Sequence, residues 1–280
     1  MSAKYEGAAF RERFGPWAVV AGGSDGIGAA FGEALARRGL NVVLIGRSEA
    51  KLAQQVERIG QRHAVEIRPL VADLTAPDVD ARVGPATADL DVGLFIYNAG
   101  SGREMGGFLD RPALNWIRQV QLACSGPVLL SHHFGRRLRT RGRGGIVLMS
   151  SMASLVGSAY IATYAAAKAF DTRLGEGLWN ELAPAGIDVL TCLAGATDTE
   201  TFREDTGGLP NAMAPLDVAD GTLDFLGRGP IYVPGEGNRA GARATWPVPR
   251  IPLINALSQI NANSFGLPFA EGKGTEFGDA

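Results

Sequence analysis

A serine, a tyrosine and a lysine in the middle of the chain have the types and spacing to do chemistry. Tyr164 and Lys168 are four positions apart, and Ser151 lies thirteen positions before the tyrosine. On a helix, the four-residue spacing brings a phenol and an ammonium onto one face. A phenol with a pKa near ~10 holds its proton tightly at neutral pH, and a fixed cation beside it stabilises the phenolate. The pair predicts an acid/base suited to carbonyl chemistry, although an ordinary exposed helix gives the same spacing when it stands alone.

Short apolar runs alternate with longer helical patterns along the chain. The runs are Trp17–Ala21, Asn41–Ile45, Val65–Val71, Val92–Tyr97, Gly145–Ser150 and Ile187–Cys192, with Ile231–Val233 as a seventh candidate. This alternation is typical of parallel strands joined by crossover helices, because such strands are buried on both faces. The chain has 280 residues, which suits one large α/β domain over 1–280.

Composition excludes several classes of protein. A net charge of -2 and a pI near 6.0 give no general attraction to nucleic acid or to an anionic membrane. No apolar stretch approaches the ~18 residues that would cross a bilayer, so we expect a soluble protein without a membrane span. Cys124 and Cys192 lie in apolar runs, which favours core thiols in a reducing cytoplasm. The three histidines show no metal-ligand spacing, and we predict no metal.

A glycine-rich turn follows the first predicted strand and opens the first predicted helix. It reads Ala21-Gly22-Gly23-Ser24-Asp25-Gly26-Ile27-Gly28. Its glycines permit a tight turn and the close approach of a pyrophosphate to the N–H groups of the helix, although a purely structural turn is the alternative. The candidate cofactor-binding residues of this turn are Gly22, Ser24, Asp25, Gly26, Ile27 and Gly28.

Two further residues bear on the cofactor. Arg47 follows the second predicted strand, where an enzyme that selects NAD usually has a carboxylate for the ribose 2′-hydroxyl. An arginine there can instead bind a 2′-phosphate, which favours NADP over NAD; a surface arginine at a strand end is the alternative. Asp73, after the third predicted strand, could accept a hydrogen bond from the adenine amino group or belong to a helix N-terminal turn.

Together these segments resemble the classical short-chain dehydrogenase/reductase family, from about Gly15 to Thr199. The residues that carry the resemblance are the glycine turn through Gly28, Asp73, Asn98-Ala99-Gly100, Ser151, and Tyr164 with Lys168. The resemblance implies an α/β fold with a doubly wound, Rossmann-like parallel sheet of about seven strands and helices on both faces. It also implies that the site lies at the carboxyl ends of the central strands.

The family pattern further implies a role for each matching residue. Tyr164 would exchange the proton, Ser151 would hold the substrate oxygen, and Lys168 would bind the nicotinamide ribose and make the tyrosine more acidic. Asn98 would steady the central sheet beside the cofactor, or be an ordinary turn residue. The remaining cofactor candidates are Ala99, Gly100, Tyr164, Thr197 and Thr199. Of these, Thr199 corresponds to a threonine that bonds the nicotinamide carboxamide and could equally be a helix N-cap.

The chain departs from the family pattern at two positions. Ala123 stands where relatives have an asparagine that helps hold a proton-relay water near the lysine. If the relay needs only a backbone carbonyl and a distorted helix, the alanine retains a weakened version; if it needs the amide, turnover is slow or the proton takes another route. Ala194 stands where relatives often have proline, which loosens the start of the substrate loop.

We therefore expect an NADP-dependent oxidoreductase that interconverts a ketone or aldehyde and the corresponding alcohol, with a small molecule as substrate. Apolar residues near the motifs favour an apolar substrate; they are Leu155, Val156, Ala159, Tyr160, Ile161, Phe202, Leu209 and Met213. A cofactor-binding regulatory or scaffold protein with weak catalysis is an alternative that Ala123 favours, and an isomerase or dehydratase on the same frame is another.

The remaining expectations concern the end of the chain and self-association. A substrate loop and lid should lie at about 195–260, and the tail over 270–280 should be poorly ordered because it has little to bury. By analogy with the family we expect a homodimer or homotetramer formed through long helices at Ala113–Arg139 and Ala162–Ala183.

Overall fold

The structure is a computed structural model that describes residues 3–100, 105–246, 249–265, 269, 271–275 and 277. Its strands are β1 (Trp17–Ala21), β2 (Asn41–Gly46), β3 (Ile67–Val71), β4 (Val92–Tyr97), β5 (Gly144–Ser151), β6 (Ile187–Ala194) and β7 (Ile231–Tyr232). They pair in parallel, in the order β3-β2-β1-β4-β5-β6-β7. The predicted fold class, a doubly wound parallel sheet, is confirmed.

The helices that connect these strands are α1 (Gly7–Phe14), α2 (Gly26–Arg37), α3 (Glu49–Gly60), α4 (Val79–Ala86), α5 (Ala113–Val120), α6 (Gly126–Arg141), α7 (Ala162–Leu182), α8 (Glu200–Thr206), α9 (Pro215–Phe225), α10 (Glu236–Thr245) and α11 (Arg250–Phe265). In the described part of the chain, no helix combines the length and apolarity needed to cross a membrane.

The core lies on both faces of the sheet, because successive residues of a strand point to opposite sides. On one face Val20 of β1 belongs to a buried cluster with Phe31 of α2. On the other face Val19 belongs to a cluster with Phe95 of β4 and Phe134 of α6. With both faces covered by helices, the carboxyl ends of the strands remain as the place for a site, next to the reversal of strand order between β1 and β4.

The long helix predicted at Ala113–Arg139 is interrupted by a π-helical turn over Gln121–Ser125. The N–H of Gly126 bonds to the carbonyl of Gln121, so the carbonyl of Leu122 is left to accept from the hydroxyl of Tyr97 at 2.6 Å. A side chain at Gly126 would collide with that hydroxyl. Pro127 has no N–H with which to close an α-helical turn onto residue 123. The break therefore results from a buried tyrosine, a glycine and a proline acting together.

The segment predicted as substrate loop and lid, 195–260, is partly core. In α9, Val218 and Ala219 are buried in the cluster that includes α2, and β7 completes the sheet. The part that borders the site is its beginning, residues 195–202. The prediction that this segment acts as a mobile loop and lid stays a prediction.

The described residues of the tail pack onto the domain, whereas the sequence predicts poor order over 270–280. The side chain of Asn255 in α11 bonds to both backbone groups of Gly272, at 2.8 and 2.9 Å. Thr275 donates its N–H to the carbonyl of Arg228 at 2.7 Å, and the ring of Phe277 is buried. The described tail residues therefore bury surface against α11 and the edge of the sheet, and poor order over 270–280 stays a prediction. Residues 270, 276 and 278–280 lie outside the described residues.

Candidate active site

A cavity of about 660 Å³ opens at the carboxyl ends of the central strands. Its wall includes the residues that follow β1, β2 and β4, together with Ser151 at the end of β5 and Gly195 after β6. Small-molecule pockets commonly measure about 300–1,000 Å³, so the space suits a cofactor with part of a substrate. Every predicted cofactor residue except Gly28 contributes to this wall.

The glycine turn forms one side of the cavity. Asp25 caps α2, because its carboxylate accepts from the N–H of Gly26 at 2.7 Å. Asn98, after β4, donates its side-chain amide to the carbonyl of Gly22 at 3.0 Å and so ties two strand ends together. Gly28 lies behind the turn, where a Cβ would overlap the carbonyl of Gly22. Gly28 thus lets α2 approach the turn, and contact of Gly28 with a cofactor stays a prediction.

Positive charge gathers at the end of the cavity beside β2. Arg47 lies exposed on the rim, and Lys51, one turn into α3, also lines the wall. The Nζ of Lys51 lies 2.5 Å from a carboxylate oxygen of Asp25 and 3.2 Å from one of Glu200 in α8. The hydrogen bond to Asp25, with that to Glu200, raises the pKa of the Lys51 ammonium. The sequence interpretation missed Lys51, although a second cation four positions after Arg47 was a usable signal.

Asp73 lines the cavity and also holds its own turn. Its Oδ1 accepts from the backbone N–H of Thr75 at 3.0 Å and from the Thr75 hydroxyl at 2.8 Å. The backbone hydrogen bond in particular holds the pKa of the Asp73 carboxyl below its usual range. The turn is separate from α4, which begins at Val79. Asp73 thus holds a local turn that lies before α4 and does not cap that helix, and contact with an adenine ring stays a prediction.

Ser151, Tyr164 and Lys168 all line the cavity, as their spacing predicts. The Ser151 hydroxyl accepts from the N–H of Ala153 at 3.1 Å, which begins a short 3₁₀ turn over Met152–Leu155. Helix α7 is tied to β5 because the hydroxyl of Ser150 donates to the carbonyl of Lys168 at 2.7 Å. This bond fixes the position of Lys168 relative to the carboxyl end of β5.

The ammonium of Lys168 is buried, with the side chain 3% exposed. Its Nζ donates to the carbonyl of Met149 at 2.7 Å and to Oδ2 of Asp171 at 3.0 Å. Burial has the largest single effect and alone would lower the pKa of Lys168, but the charge and hydrogen bond of Asp171, together with the electrostatic effects of Tyr164 and Cys124, raise the pKa overall. Burial raises the pKa of Asp171 to about 6 against the opposing effect of the lysine. Sequence reasoning missed Asp171, although an acid three positions after a lysine on a helix is a recognised pairing.

The loop after β6 contributes Thr197 and Thr199. The hydroxyl of Thr197 donates to the carbonyl of Gly195 at 3.1 Å. That of Thr199 accepts from the N–H of Phe202 at 3.1 Å and caps α8. The N-cap alternative for Thr199 is therefore present, and a bond to a nicotinamide carboxamide stays a prediction.

The apolar part of the cavity wall differs from the prediction. Of the apolar residues proposed from sequence, Phe202 lines the cavity and the others do not. Val156, Tyr160 and Leu209 are each more than half exposed, and Met213 packs on the core. The apolar lining includes Met105, Leu122 and Met149, with Phe202. Sequence could not identify these residues, because they are far apart in the chain and share only the cavity.

The fold and the site together define an α/β oxidoreductase domain that binds a dinucleotide. A family model described as short chain dehydrogenase matches residues 16–208, and the chain belongs to that family. As a member it acts on CH–OH and C=O groups with NAD(P) as cofactor. The resemblance stated from the motifs is confirmed.

Individual relatives cover nearly the whole chain. A 7beta-hydroxysteroid dehydrogenase of Clostridium sardiniense is 32% identical over 257 residues, covering 90% of this chain and 97% of that protein. A short-chain dehydrogenase from Sphingobium yanoikuyae, solved in complex with NADPH, is 28% identical with a TM-score of 0.73 over 93% of this chain and 99% of its own. The bulky-bulky ketone specific alcohol dehydrogenase from Comamonas testosteroni is 29% identical with a TM-score of 0.69, over 93% and 97% of the two chains.

Proposed function

We propose that the protein is an NADP-dependent oxidoreductase that interconverts a bulky, apolar ketone and the corresponding secondary alcohol. One observation carries the proposal: Ser151, Tyr164 and Lys168 line the same cavity as the glycine turn and Arg47. The apolar wall around Met149 and Phe202 suits a substrate without charge. Relatives named for a hydroxysteroid and for bulky ketones support a large substrate over a small aldehyde.

The residues present fit such a cofactor. The N-terminus of α2 borders the cavity at Gly26 and Ile27 and can receive a pyrophosphate, while Lys168 also lines the cavity and can bind a ribose hydroxyl. When bound, the nicotinamide would supply or accept the hydride. Ser151 would donate a hydrogen bond to the substrate oxygen as negative charge grows on it, and Tyr164 would give that oxygen its proton. In the oxidative direction the same two residues would act in reverse.

The preference for NADP depends on Arg47 and Lys51, because an arginine directly after β2 stands where a carboxylate would select NAD. The test is a fluorescence titration of wild type, Arg47→Ala and Lys51→Ala with NADPH and NADH. A hydrogen bond to a charged group contributes about 1.5–3 kcal/mol, so each variant should bind NADPH roughly 10–100-fold more weakly and NADH almost unchanged. Equal weakening for both cofactors would show that neither side chain contacts a 2′-phosphate.

The substrate class is tested by following NADPH consumption with keto-steroids, diaryl ketones, short aliphatic ketones and aldehydes. The proposal expects the highest kcat/KM for the large ketones. Higher kcat/KM for short aldehydes would contradict it, and turnover without any change in NADPH would indicate an isomerase or dehydratase instead.

We also propose that the chain forms a homo-oligomer in the cytoplasm. Leu114, Ile117 and Val128 are exposed apolar residues along α5 and α6, which supports association through that side. The outer face of α7 is partly covered by α11, through Arg250 on Glu176, so α7 contributes less than the sequence predicts. Both cysteines are free, as in a reducing compartment. Light scattering on the purified protein distinguishes dimer, tetramer and monomer.

A further inference from the structure

We propose that Asp171 is a positioning residue for the reaction, whose carboxylate holds the Lys168 ammonium in place in the cavity and keeps it charged. The inference rests on the role proposed above for Lys168. Asp171 itself does not line the cavity, so it acts through the lysine.

The first argument is the geometry of the ammonium. An ammonium has three N–H donors, and two of them are committed to the Met149 carbonyl at 2.7 Å and to Asp171 at 3.0 Å. Nζ also lies close against Gly100, where an added Cβ would be 2.7 Å away. The two hydrogen bonds and the nearby backbone of Gly100 therefore restrict the direction in which the third N–H can point. Without such bonds the ammonium of a lysine changes direction freely, because its stem of four carbons is flexible.

The second argument is the contrast with another buried acid on α7. Both carboxylate oxygens of Glu176 are bonded to Arg250, and Arg173 also donates to one of them. Asp171 is 1% exposed, and its Oδ1 has no hydrogen-bond partner among the described residues. A buried carboxylate with an unpaired oxygen is costly for stability. Its contact with Lys168 therefore suggests a role in the site rather than a contribution to folding.

The third argument is the electrostatic surroundings. Besides Lys168 on its own helix, the titratable groups that face Asp171 are Tyr97 of β4 and Cys124 of the π-helical turn. Burial raises the pKa of the Cys124 thiol to about 11, and burial also raises the pKa of Tyr97 well above its usual value, so both are neutral near pH 7. Neither group can replace Asp171 as the counter-charge of the lysine.

The direction of the pH effect follows from these surroundings. Burial alone would lower the pKa of Lys168, and Asp171, through its charge and its hydrogen bond, is the largest of the influences that together reverse that effect; Tyr164 and Cys124 add to it. Because burial raises the pKa of Asp171 to about 6, its charge is present above that pH and is lost below it. The Asp171 carboxylate should therefore hold the Lys168 ammonium in place above a pH of about 6, and this hold should weaken as Asp171 is protonated.

The test compares Asp171→Asn and Asp171→Leu with Glu176→Gln, which removes the other buried acid of the same helix. Three quantities are measured: the pH profile of kcat/KM, the Kd for NADPH, and the titration of the Lys168 amine by ¹⁵N NMR of lysine-labelled protein. In both Asp171 variants the amine should titrate at least about one pH unit lower, and kcat should fall about tenfold or more at pH 7.5. The decline below pH about 6 should disappear. Glu176→Gln should lower Tm and leave the pH profile and the lysine titration unchanged.

The outcomes separate this inference from the proposed function. An amine titration and a pH profile that stay as in wild type, in either folded Asp171 variant, overturn the positioning role. If wild type consumes no NADPH with any substrate, the proposed function fails, and the lysine titration alone then decides about Asp171. Partial recovery of kcat in Asp171→Glu supports the role, because that variant restores the charge at a different length.

Discussion

Two glycines of α7, only two positions apart, should respond in opposite ways to the same substitution. Gly177 is on the exposed face, and a Cβ there would have no atom within 4 Å. Gly175 is buried against the sheet, and a Cβ there would overlap the hydroxyl oxygen of Thr191 in β6. The close approach of α7 to β6 depends on this missing side chain. We therefore expect Gly177→Ala to stabilise the protein and Gly175→Ala to destabilise it relative to that control.

The size of the effect is the difference between the changes in unfolding free energy of the two variants. Both substitutions gain the same helix propensity, about 1 kcal/mol for alanine over glycine in a helix interior. Only Gly175→Ala carries an overpacking penalty, typically about 1–3 kcal/mol, and Thr191 is fully buried and cannot swing into solvent. The difference between the two variants is therefore about 1–3 kcal/mol, or roughly 2–4 °C in Tm for each kcal/mol in a protein of this size.

The assay is thermal unfolding followed by circular dichroism, with urea unfolding as an independent measure. Thr191→Ala in the Gly175→Ala background removes the colliding hydroxyl and leaves the Thr191 Cβ position 3.2 Å from the added methyl, so it should recover much of the loss. Equal shifts of Tm for Gly175→Ala and Gly177→Ala would refute the packing of α7 on β6 described here. A lack of coupling with Thr191→Ala would show that another contact is responsible.

The remaining predictions concern the reaction and the pH dependence of stability. Tyr164→Phe should lower kcat by about 10²–10⁴-fold and leave NADPH binding by fluorescence titration unchanged; a kcat close to wild type would remove Tyr164 as the proton donor. Ser151→Ala should lower kcat by about 10²-fold or more with a smaller effect on KM, measured with the same ketone. Burial alone would raise the pKa of Glu33, but the hydrogen bond from His63 and the charge of Arg58 outweigh it and lower the pKa. The stabilisation by Glu33 is thus complete above its unfolded pKa near ~4.3 and is lost as the pH falls through the lower folded value, so Glu33→Gln should lower Tm at pH 7 and lower it progressively less as the pH falls below that unfolded pKa.

The strands were predictable because burial on both faces leaves a strong local signal. The runs at Trp17–Ala21 and Val92–Tyr97 coincide with β1 and β4, and the others differ from the observed strands by a few residues at their ends. The break between α5 and α6 was not predictable from periodicity. It depends on Tyr97, which lies on a different element and reaches the Leu122 carbonyl only after the sheet has formed.

The residues of the site also fall into two groups, those that local sequence predicts and those that only the folded chain brings together. Tyr164, Lys168 and Arg47 follow from local spacing, because each is fixed by the element that carries it. The apolar lining does not, since Met105, Leu122 and Met149 come from three separate segments. Neighbours in sequence such as Val156 and Tyr160 do not line the cavity, and their side chains are exposed.

The absence of an amide at residue 123 and the presence of an acid at residue 171 affect the same lysine in different ways. The π-helical turn persists without asparagine, because Gly126, Pro127 and Tyr97 produce it, so any effect of Ala123 is limited to a missing side chain. The Cβ of Ala123 is 3.6 Å from the position of a Cβ on Gly100, which itself lies against the Lys168 ammonium. The methyl group of Ala123 offers no polar atom to this region, whereas the ammonium of Lys168 is bonded to Asp171. A buried ammonium needs a counter-charge, which a neutral side chain at residue 123 could not supply in any case, and in this chain the carboxylate of Asp171, three positions further along α7, supplies it.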